Sequence, residues 1–257
     1  MKTNILESFS LAGKKAIVVG GAGDLGKAMV EAISQAGAQT VVIDFDERVY
    51  DLCQDFKNDG LIVDAIKADI SKISEIKESY QSALELLGGK IDILINSAGI
   101  QRRYPSEDFP DEEWSKVIAI NLDATFYYCK YVAKNMLENG GGKIINIASL
   151  MSFLGGITIP AYAASKGGVG QLTKALSNDW ASKGICVNAI APGYMDTQLN
   201  TALINDKKRT EEVFIRVPMK RWGNGEDLKG LTVFLCSPAS DYITGTVIPV
   251  DGGYLGR

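Results

Sequence analysis

Short runs of apolar, β-branched residues alternate along this chain with longer stretches that carry a helical pattern. Seven runs are predicted to be strands, at residues 16–19, 40–43, 61–63, 91–95, 143–147, 185–190 and 247–250. Helices are predicted between them, at residues 24–36, 71–87 and 111–137. Parallel strands need such helical crossovers, and strands apolar on both faces need covering on both sides. The order therefore predicts an α/β fold with one doubly wound parallel sheet and helices on both faces.

The chain of 257 residues contains no linker rich in proline or serine, and no internal repeat. A single sheet can absorb this length, so residues 1–257 are predicted to form one domain. The segment at about 194–221 is polar and the least regular part of the chain. Long connections in compact domains are usually functional, so this segment is predicted to be a substrate lid, with an ordinary surface excursion as the alternative.

A glycine-rich turn follows the first predicted strand, over residues 20–26. Gly21, Gly23 and Gly26 fit the pattern G-x-G-x-x-G at a strand-to-helix junction. Glycines there allow a tight turn and let the backbone approach a pyrophosphate, which the helix N-terminus attracts. The turn as a whole is predicted to bind a dinucleotide, through Gly20, Gly21, Gly23, Asp24, Leu25 and Gly26.

Acidic residues follow the second and third predicted strands. Asp44 is placed to accept hydrogen bonds from the adenosine ribose, the alternative being a turn or helix-capping residue. Asp69 and Ile70 are placed to border the adenine, although Asp69 is also a good cap for the next helix. Because Asp44 would repel a ribose 2′-phosphate, the predicted cofactor is NAD, with NADP less favoured unless Arg48 compensates.

Proton transfer in this chain must proceed without histidine, because the sequence contains none. This excludes a Ser-His-Asp hydrolase and a zinc-histidine site. Tyr162 and Lys166 are four residues apart and share one face of a helix, where an ammonium group would lower the phenol pKa. Ser149 ends the fifth strand and can bind a substrate oxygen. Asn121, in the long helix before it, can hold a water or a backbone carbonyl.

These motifs together resemble the short-chain dehydrogenase/reductase family over nearly the whole chain. The resemblance rests on the glycine turn, residues 96–99, Asn121, Ser149, the Tyr162/Lys166 pair, Pro192-Gly193 and Thr197. It implies a Rossmann-type fold and a catalytic tetrad of Asn121, Ser149, Tyr162 and Lys166. It also implies that the cofactor is bound by Tyr162 and Lys166 and contacted by Asn96, Ala98, Gly99, Pro192, Gly193 and Thr197.

Three positions depart from the family pattern. Val19 stands where the family usually has threonine, Asp24 stands at its usual middle glycine, and Ser97 stands at a usual asparagine. The anionic Asp24 would have to point away from a bound pyrophosphate. Ser97 is a mild change because serine still donates and accepts hydrogen bonds.

Within the family, residues 98–103, 149–153 and 221–223 and the Asp251-Gly252-Gly253 tail resemble bacterial sugar-acid dehydrogenases. The predicted reaction is hydride transfer between NAD(H) and a secondary alcohol or ketone of a sugar acid of the gluconate type. A 3-oxoacyl-thioester reductase and a non-catalytic dinucleotide-sensing protein are the alternatives. The intact Ser149, Tyr162 and Lys166 argue against the sensor.

A sugar acid needs a cation for its carboxylate. Arg102 and Arg103 follow the fourth strand, at the edge of the sheet where ligands bind, and one of them is predicted to reach the substrate. The alternative is that both are solvated or pair with Glu107, Asp108 or Asp111. Arg221 is a further candidate if the lid closes. The predicted substrate-binding residues are Arg102, Arg103, Ser149, Met151, Tyr162 and Arg221.

The remaining expectations concern partners. A net charge of −4 disfavours nucleic acid and anionic membranes, and the four cysteines lack metal-ligand spacing, so no metal is predicted. The chain shows no signal peptide and no long apolar run, so a cytoplasmic protein is expected. The family resemblance implies a homotetramer. Apolar positions at 126–131 and 169–180 could pack across its interface, unless they belong to the core.

Overall fold

A computed structural model describes residues 4–257, so the first three residues of the predicted domain lie outside it. Seven parallel strands form one sheet in the order β3-β2-β1-β4-β5-β6-β7. The order reverses at β1, which is the signature of a doubly wound Rossmann-type sheet. The strands are β1 Lys15–Val19, β2 Gln39–Asp44, β3 Val63–Lys67, β4 Ile93–Asn96, β5 Gly142–Ile147, β6 Ile185–Pro192 and β7 Val247–Val250.

Nine α-helices connect these strands within residues 4–257. Their bounds are α1 Asp24–Gln35, α2 Arg48–Asn58, α3 Ile73–Leu86, α4 Asp111–Ile118, α5 Ala124–Glu138, α6 Pro160–Trp180, α7 Thr201–Ile204, α8 Lys207–Arg216 and α9 Glu226–Cys236. None of the helices in this part of the chain is long and apolar enough to span a bilayer.

Neighbouring residues of β1 point to opposite faces of the sheet, and each face has its own core. Ala16 and Val18 pack with residues of α1, α2 and α9, whereas Ile17 and Val19 pack with residues of α3, α5 and α6. Helices therefore cover both faces, and the predicted fold class is confirmed. This layering leaves the carboxyl ends of the strands as the edge where a ligand can enter.

Two segments differ from the sequence-based prediction. The third strand was expected at 61–63 but spans Val63–Lys67, because this edge strand carries polar residues and Ile62 before it is exposed. The segment at 194–221 was expected to be irregular, yet it contains α7 and α8. Its base is fixed by the isolated bridge between Met195 and Gly223.

Candidate active site

A cavity of about 380 Å³ lies at the carboxyl edge of the sheet. Its walls come from the turn after β1, the segments that follow β4, β5 and β6, and the first turns of α6. The structure brings most of the predicted site residues to this one space. They are Gly20, Gly23, Asp24, Leu25, Gly26, Gly99, Arg103, Ser149, Met151, Tyr162, Lys166, Pro192, Gly193 and Thr197.

The turn after β1 has the shape that a pyrophosphate requires. Gly20 has a φ of +80°, and a Cβ there would collide with the backbone of Ala98. A Cβ on Gly26 would overlap the carbonyl oxygen of Gly20. Gly23 is the N-cap of α1 and makes no side-chain cap, so the first N–H groups of the helix remain available to an anion. The turn therefore fits a dinucleotide phosphate.

Asp24 is held by the segment that was predicted to be a lid. Its Oδ2 accepts a hydrogen bond from the backbone N–H of Gln198, at 2.7 Å. This contact gives the carboxylate a partner in the segment after β6. That the carboxylate points away from a bound pyrophosphate stays a prediction.

Asp44 lies beside the glycine turn rather than in the cavity wall. Its two carboxylate oxygens accept backbone N–H groups, Oδ2 from Ala22 at 2.9 Å and Oδ1 from Asp46 at 3.0 Å. Asp44 thus has the turn-stabilising role that was the alternative to ribose binding, and it retains lone pairs for a further donor. Arg48 lines the cavity, and two of its guanidinium nitrogens donate to Asp46 Oδ2 at 2.7 and 2.9 Å.

Helix α6 presents Tyr162 and Lys166 to the cavity on one face. Pro160 starts this helix, a position where its missing N–H costs nothing. Lys166 is 3% exposed, and its Nζ donates to the Ile147 carbonyl at 2.6 Å and lies 5.9 Å from the centre of the Tyr162 ring. Ser149, in the turn after β5, lines the same cavity as Tyr162.

The pKa of Tyr162 does not follow the sequence-based expectation. Burial of the phenol raises its pKa above the usual value, and the neighbouring Ser149 hydroxyl offsets only part of that effect. Burial also lowers the pKa of Lys166 from 10.5 to about 8. Lys166 is bonded to the Ile147 carbonyl rather than to the phenol, so its expected lowering of the Tyr162 pKa does not dominate. The neutral phenol is the form that can donate a proton.

Asn121 lies in a π-helical turn, Ala119–Asp123, that joins α4 to α5. Such a turn widens the helix locally and often marks a functional site. The Asn121 side chain is fully buried; it accepts the N–H of Ile100 at 2.8 Å and donates to the Ile100 carbonyl and to Ser165 Oγ, both at 3.0 Å. It therefore fastens the segment after β4 to α6, which corresponds to the backbone-binding role considered from the sequence.

Some predicted cofactor residues do not line the cavity. Asp69 accepts hydrogen bonds from Ser71 and pairs with Lys72 just before α3, but it is not the cap of that helix, whose N-cap is Lys72; the following Ile70 is buried. The contact of Asp69 and Ile70 with adenine stays a prediction. Asn96 is buried and donates to Asn146 Oδ1 at 2.9 Å. Gly21 faces Val42 and Val30 of the core, and Ala98 lies against Gly20.

The three predicted arginines have different surroundings. Arg103 is exposed and lines the cavity. Arg102 does not line it, because its Nε donates to Glu113 Oε2 at 2.7 Å. Arg221 also does not line it. It forms a bidentate pair with Asp227 beside a second cavity, which lowers the pKa of Asp227 to about 2.

Sequence reasoning did not assign several polar residues of the cavity, among them Gln101 and Tyr194. Both follow a strand at its carboxyl end, Gln101 after β4 and Tyr194 after β6. The rule that ligands bind at this edge could have found them. Among residues 4–257, no group of three or more histidine, cysteine or acidic side chains could hold a metal ion.

Comparisons with known proteins cover nearly the whole chain. A family model described as enoyl-(acyl carrier protein) reductase matches residues 20–255. A 2-dehydro-3-deoxy-D-gluconate 5-dehydrogenase of Bacillus subtilis is 43% identical over 251 residues, which cover 98% of either chain. A 5-keto-D-gluconate 5-reductase of Escherichia coli is 40% identical over 248 residues, covering 96% of this chain and 97% of the relative.

A solved structure agrees with these relatives. The crystal structure of a gluconate 5-dehydrogenase from Burkholderia cenocepacia, in complex with NADP and tartrate, has a TM-score of 0.94 to this chain at 38% identity. The match covers 99% of this chain and 100% of the other. The similarity to bacterial sugar-acid dehydrogenases that the sequence predicted is confirmed.

Proposed function

Because the chain belongs to the short-chain dehydrogenase/reductase family and is an oxidoreductase that uses a nicotinamide dinucleotide, we propose that it interconverts a secondary hydroxyl and a ketone on a sugar acid. One observation carries this proposal. The glycine turn, Ser149, Tyr162 and Lys166 line the same cavity, and Arg103 joins them there. A phosphate site, an acid/base group and a cation therefore meet where a charged hydroxy acid and a dinucleotide would lie together.

Each polar residue of the site has a separate role in the proposed reduction. The nicotinamide, when bound, supplies the hydride. Tyr162 donates its phenolic proton to the carbonyl oxygen, and takes a proton back from the hydroxyl in the reverse direction. The Ser149 hydroxyl donates a hydrogen bond to that same oxygen. Lys166 is placed to hold the nicotinamide ribose, and Asn121 keeps the Ile100 segment in place against α6.

The dinucleotide would be held by the glycine turn at its phosphates, by Asp44 at the adenosine ribose, and by Gly193 and Thr197 near the nicotinamide. The segment at 194–221 would close over it as a lid. This role is supported by the hydrogen bond between Asp24 and Gln198. It is also supported by the packing of Val213 and Val217, in and after α8, against Leu150 beside Ser149.

Arg103 is the residue that we assign to the substrate carboxylate. It is exposed toward the cavity, and no carboxylate in residues 4–257 lies within 4 Å of its guanidinium nitrogens. A guanidinium can pair with both oxygens of a carboxylate. Arg102, the neighbouring residue, already pairs with Glu113 and so becomes a matched control.

Replacing Arg103 with alanine is expected to raise KM for a keto sugar acid roughly tenfold while kcat changes little. The carboxylate is remote from the reacting carbon, so it is bound alike in the ground and transition states. The measurement is steady-state kinetics with a keto sugar acid and with its uncharged keto-sugar analogue. Arg102→Ala should leave the preference for the acid unchanged. Loss of that preference in Arg102→Ala but not in Arg103→Ala would reverse the assignment.

For the cofactor we propose NAD(H) rather than NADP(H). Asp44 is anchored by two backbone N–H groups and cannot swing away from a ribose 2′-phosphate. Arg48, the nearest cation to compensate that charge, is paired with Asp46. The related Burkholderia structure contains NADP, so the preference of this chain has to be measured directly.

We expect kcat/KM to be roughly tenfold or more higher with NADH than with NADPH, since like charges a few ångströms apart near a protein surface cost a few kcal/mol. The assay is initial rates with each cofactor in wild type, Asp44→Ala and Arg48→Ala. Asp44→Ala should lower the ratio of kcat/KM with NADH to kcat/KM with NADPH. Arg48→Ala should leave that ratio within about twofold of the wild-type value. A higher kcat/KM with NADPH in the wild type would refute the proposal.

A 3-oxoacyl-thioester reductase is the second candidate, because the family model that matches carries an acyl-carrier-protein reductase description. An acidic carrier protein would be bound best by a basic surface, whereas this chain has a net charge of −4. A dinucleotide sensor without catalysis is the third. A panel of keto sugar acids and 3-oxoacyl thioesters separates all three, since the sensor turns over neither class.

We also propose a homotetramer. The apolar segments at 126–131 and 169–180 divide between core and surface. Tyr128, Cys129 and Val169 are buried, whereas Phe126 is 39% exposed and could pack across an interface. The cytoplasmic location predicted from the sequence stays a prediction.

A further inference from the structure

Ser152 connects the two segments that carry the reactive side chains. It lies in the short 3₁₀ turn Leu150–Ser152, whose N-cap is Ser149. The Ser152 hydroxyl accepts a hydrogen bond from the backbone N–H of Ser149 at 3.3 Å and donates one to the backbone carbonyl of Lys166 at 2.6 Å. One hydroxyl therefore joins the turn of Ser149 to the helix of Tyr162 and Lys166.

The bond to Lys166 is made in the middle of α6. A carbonyl inside an α-helix is already used by the N–H four residues later, so Ser152 occupies its second lone pair. The residue four positions on is Gly170, and a Cβ there would stand 3.4 Å from the Cβ of Ser152. The bare surface at Gly170 lets Ser152 rest against the helix without crowding.

The second hydrogen bond of Ser152 fixes the turn that carries Ser149. Ser149 is only 8% exposed, so its N–H needs a partner within the protein, and Ser152 Oγ supplies one. The Ser149 hydroxyl accepts the N–H of Met151 at 3.2 Å, which ties the direction of this side chain to the shape of the same turn. A shift of the turn would therefore move the hydroxyl relative to Tyr162.

We propose that Ser152 is a positioning residue that sets the distance between Ser149 and the Tyr162/Lys166 pair, an inference that rests on the proposed function. Ser152 does not line the cavity. Its loss should lower the rate of the chemical step and leave cofactor binding intact, because the glycine turn and Asp44 lie elsewhere.

The test compares Ser152→Ala with Ser152→Thr and with Ser177→Ala. Ser177 is a buried serine on the same helix whose hydroxyl bonds Thr244, far from the cavity, so it controls for a loss of stability alone. We expect Ser152→Ala to lower kcat roughly tenfold, less than the hundredfold of a full 1 Å displacement. Its KM for NADH should stay within about twofold, because the phosphate and adenosine contacts at the glycine turn and Asp44 lie away from Ser152.

Two readouts separate positioning from stability. The kinetic isotope effect on kcat with NADH deuterated at the transferred position should rise in Ser152→Ala, because the chemical step becomes slower than the others. Ser152→Thr keeps the hydroxyl and should recover most of the rate, since Ser152 is only partly buried. Ser177→Ala should lower the thermal midpoint without either kinetic change.

The inference is overturned if Ser152→Ala has the wild-type kcat. It is also overturned if Ser152→Thr recovers none of the lost kcat, or if Ser177→Ala loses as much kcat as Ser152→Ala. Tyr162→Phe is assayed alongside these variants. If that variant is inactive while Ser152→Ala behaves as wild type, only the role of Ser152 is wrong. If Tyr162→Phe is as active as wild type, the proposed function itself fails.

Discussion

Replacing Tyr162 with phenylalanine will lower kcat about a thousandfold, within the 10²–10⁴-fold that a general acid contributes. The variant keeps the ring that lines the cavity and loses only the phenolic proton. Binding of NADH should change less than about threefold, since its affinity comes from the glycine turn and Asp44 rather than from the phenol. The measurements are steady-state kcat and a fluorescence titration with NADH.

Tyr80→Phe is the control for this experiment. Tyr80 lies on α3, packed against Tyr131 and away from the cavity, so removing its hydroxyl should leave kcat unchanged. A kcat for Tyr162→Phe close to that of Tyr80→Phe would remove Tyr162 from the mechanism. Parallel loss of NADH binding and of turnover would instead give the hydroxyl a binding role.

Replacing Lys166 with methionine should abolish turnover and at the same time stabilise the fold at neutral pH. Burial lowers the pKa of Lys166 from 10.5 to about 8, which corresponds to roughly 3 kcal/mol against its charged form. Methionine also loses the hydrogen bond from the charged ammonium to the Ile147 carbonyl, which offsets about 2 kcal/mol. The expected net gain at pH 7 is about 1 kcal/mol, visible as a higher urea midpoint.

The pH dependence of that gain has a definite sign. Below pH 8 the lysine is charged in both folded and unfolded chains, so the wild type carries the whole penalty. Between pH 8 and 10.5 the unfolded chain binds more protons than the folded one, so wild-type stability rises with pH and the advantage of methionine shrinks. Taking the difference between variant and wild type cancels the other titrating groups.

Lys174→Met is the matched control, since Lys174 is exposed on the same helix and should give no such gain. A Lys166→Met protein no more stable than the wild type at neutral pH would contradict the burial penalty. So would a gain that stays constant up to pH 10.5. The prediction also means that the candidate site is kept at a cost in folding free energy.

The fold could be predicted because the strands near the centre of the sheet are buried on both faces. Such strands are apolar throughout, so a run of β-branched residues marks them, and β1 and β5 were each placed to within one residue. The edge strand β3 was predicted too early in the chain, since Asp64 and Lys67 interrupt its apolar pattern. Sequence periodicity also cannot show the π-helical turn at Asn121, because one extra residue per turn changes hydrogen bonding and not composition.

Within the site, the residues predicted from the sequence are those whose positions are set by the secondary structure. The glycine turn and the Tyr162/Lys166 pair are set by a strand end and a helix face, which short-range patterns encode. The partners of long side chains are not encoded in this way. Arg102 pairs with Glu113, and Arg221 pairs with Asp227, because the folded chain brings these residues together. Local spacing in the sequence does not predict either pair. The rise in the Tyr162 pKa likewise depends on burial, which only the folded chain determines.

Reduction of a sugar acid can be followed as NADH oxidation when the purified wild-type protein is given keto derivatives of gluconate. We expect NADH to be consumed in equal amount to the hydroxy acid formed. We also expect slower turnover of uncharged keto sugars and of 3-oxoacyl thioesters. If NADH binds but no keto sugar acid is reduced, or if a thioester is reduced faster than every sugar acid, this chain is not a sugar-acid dehydrogenase.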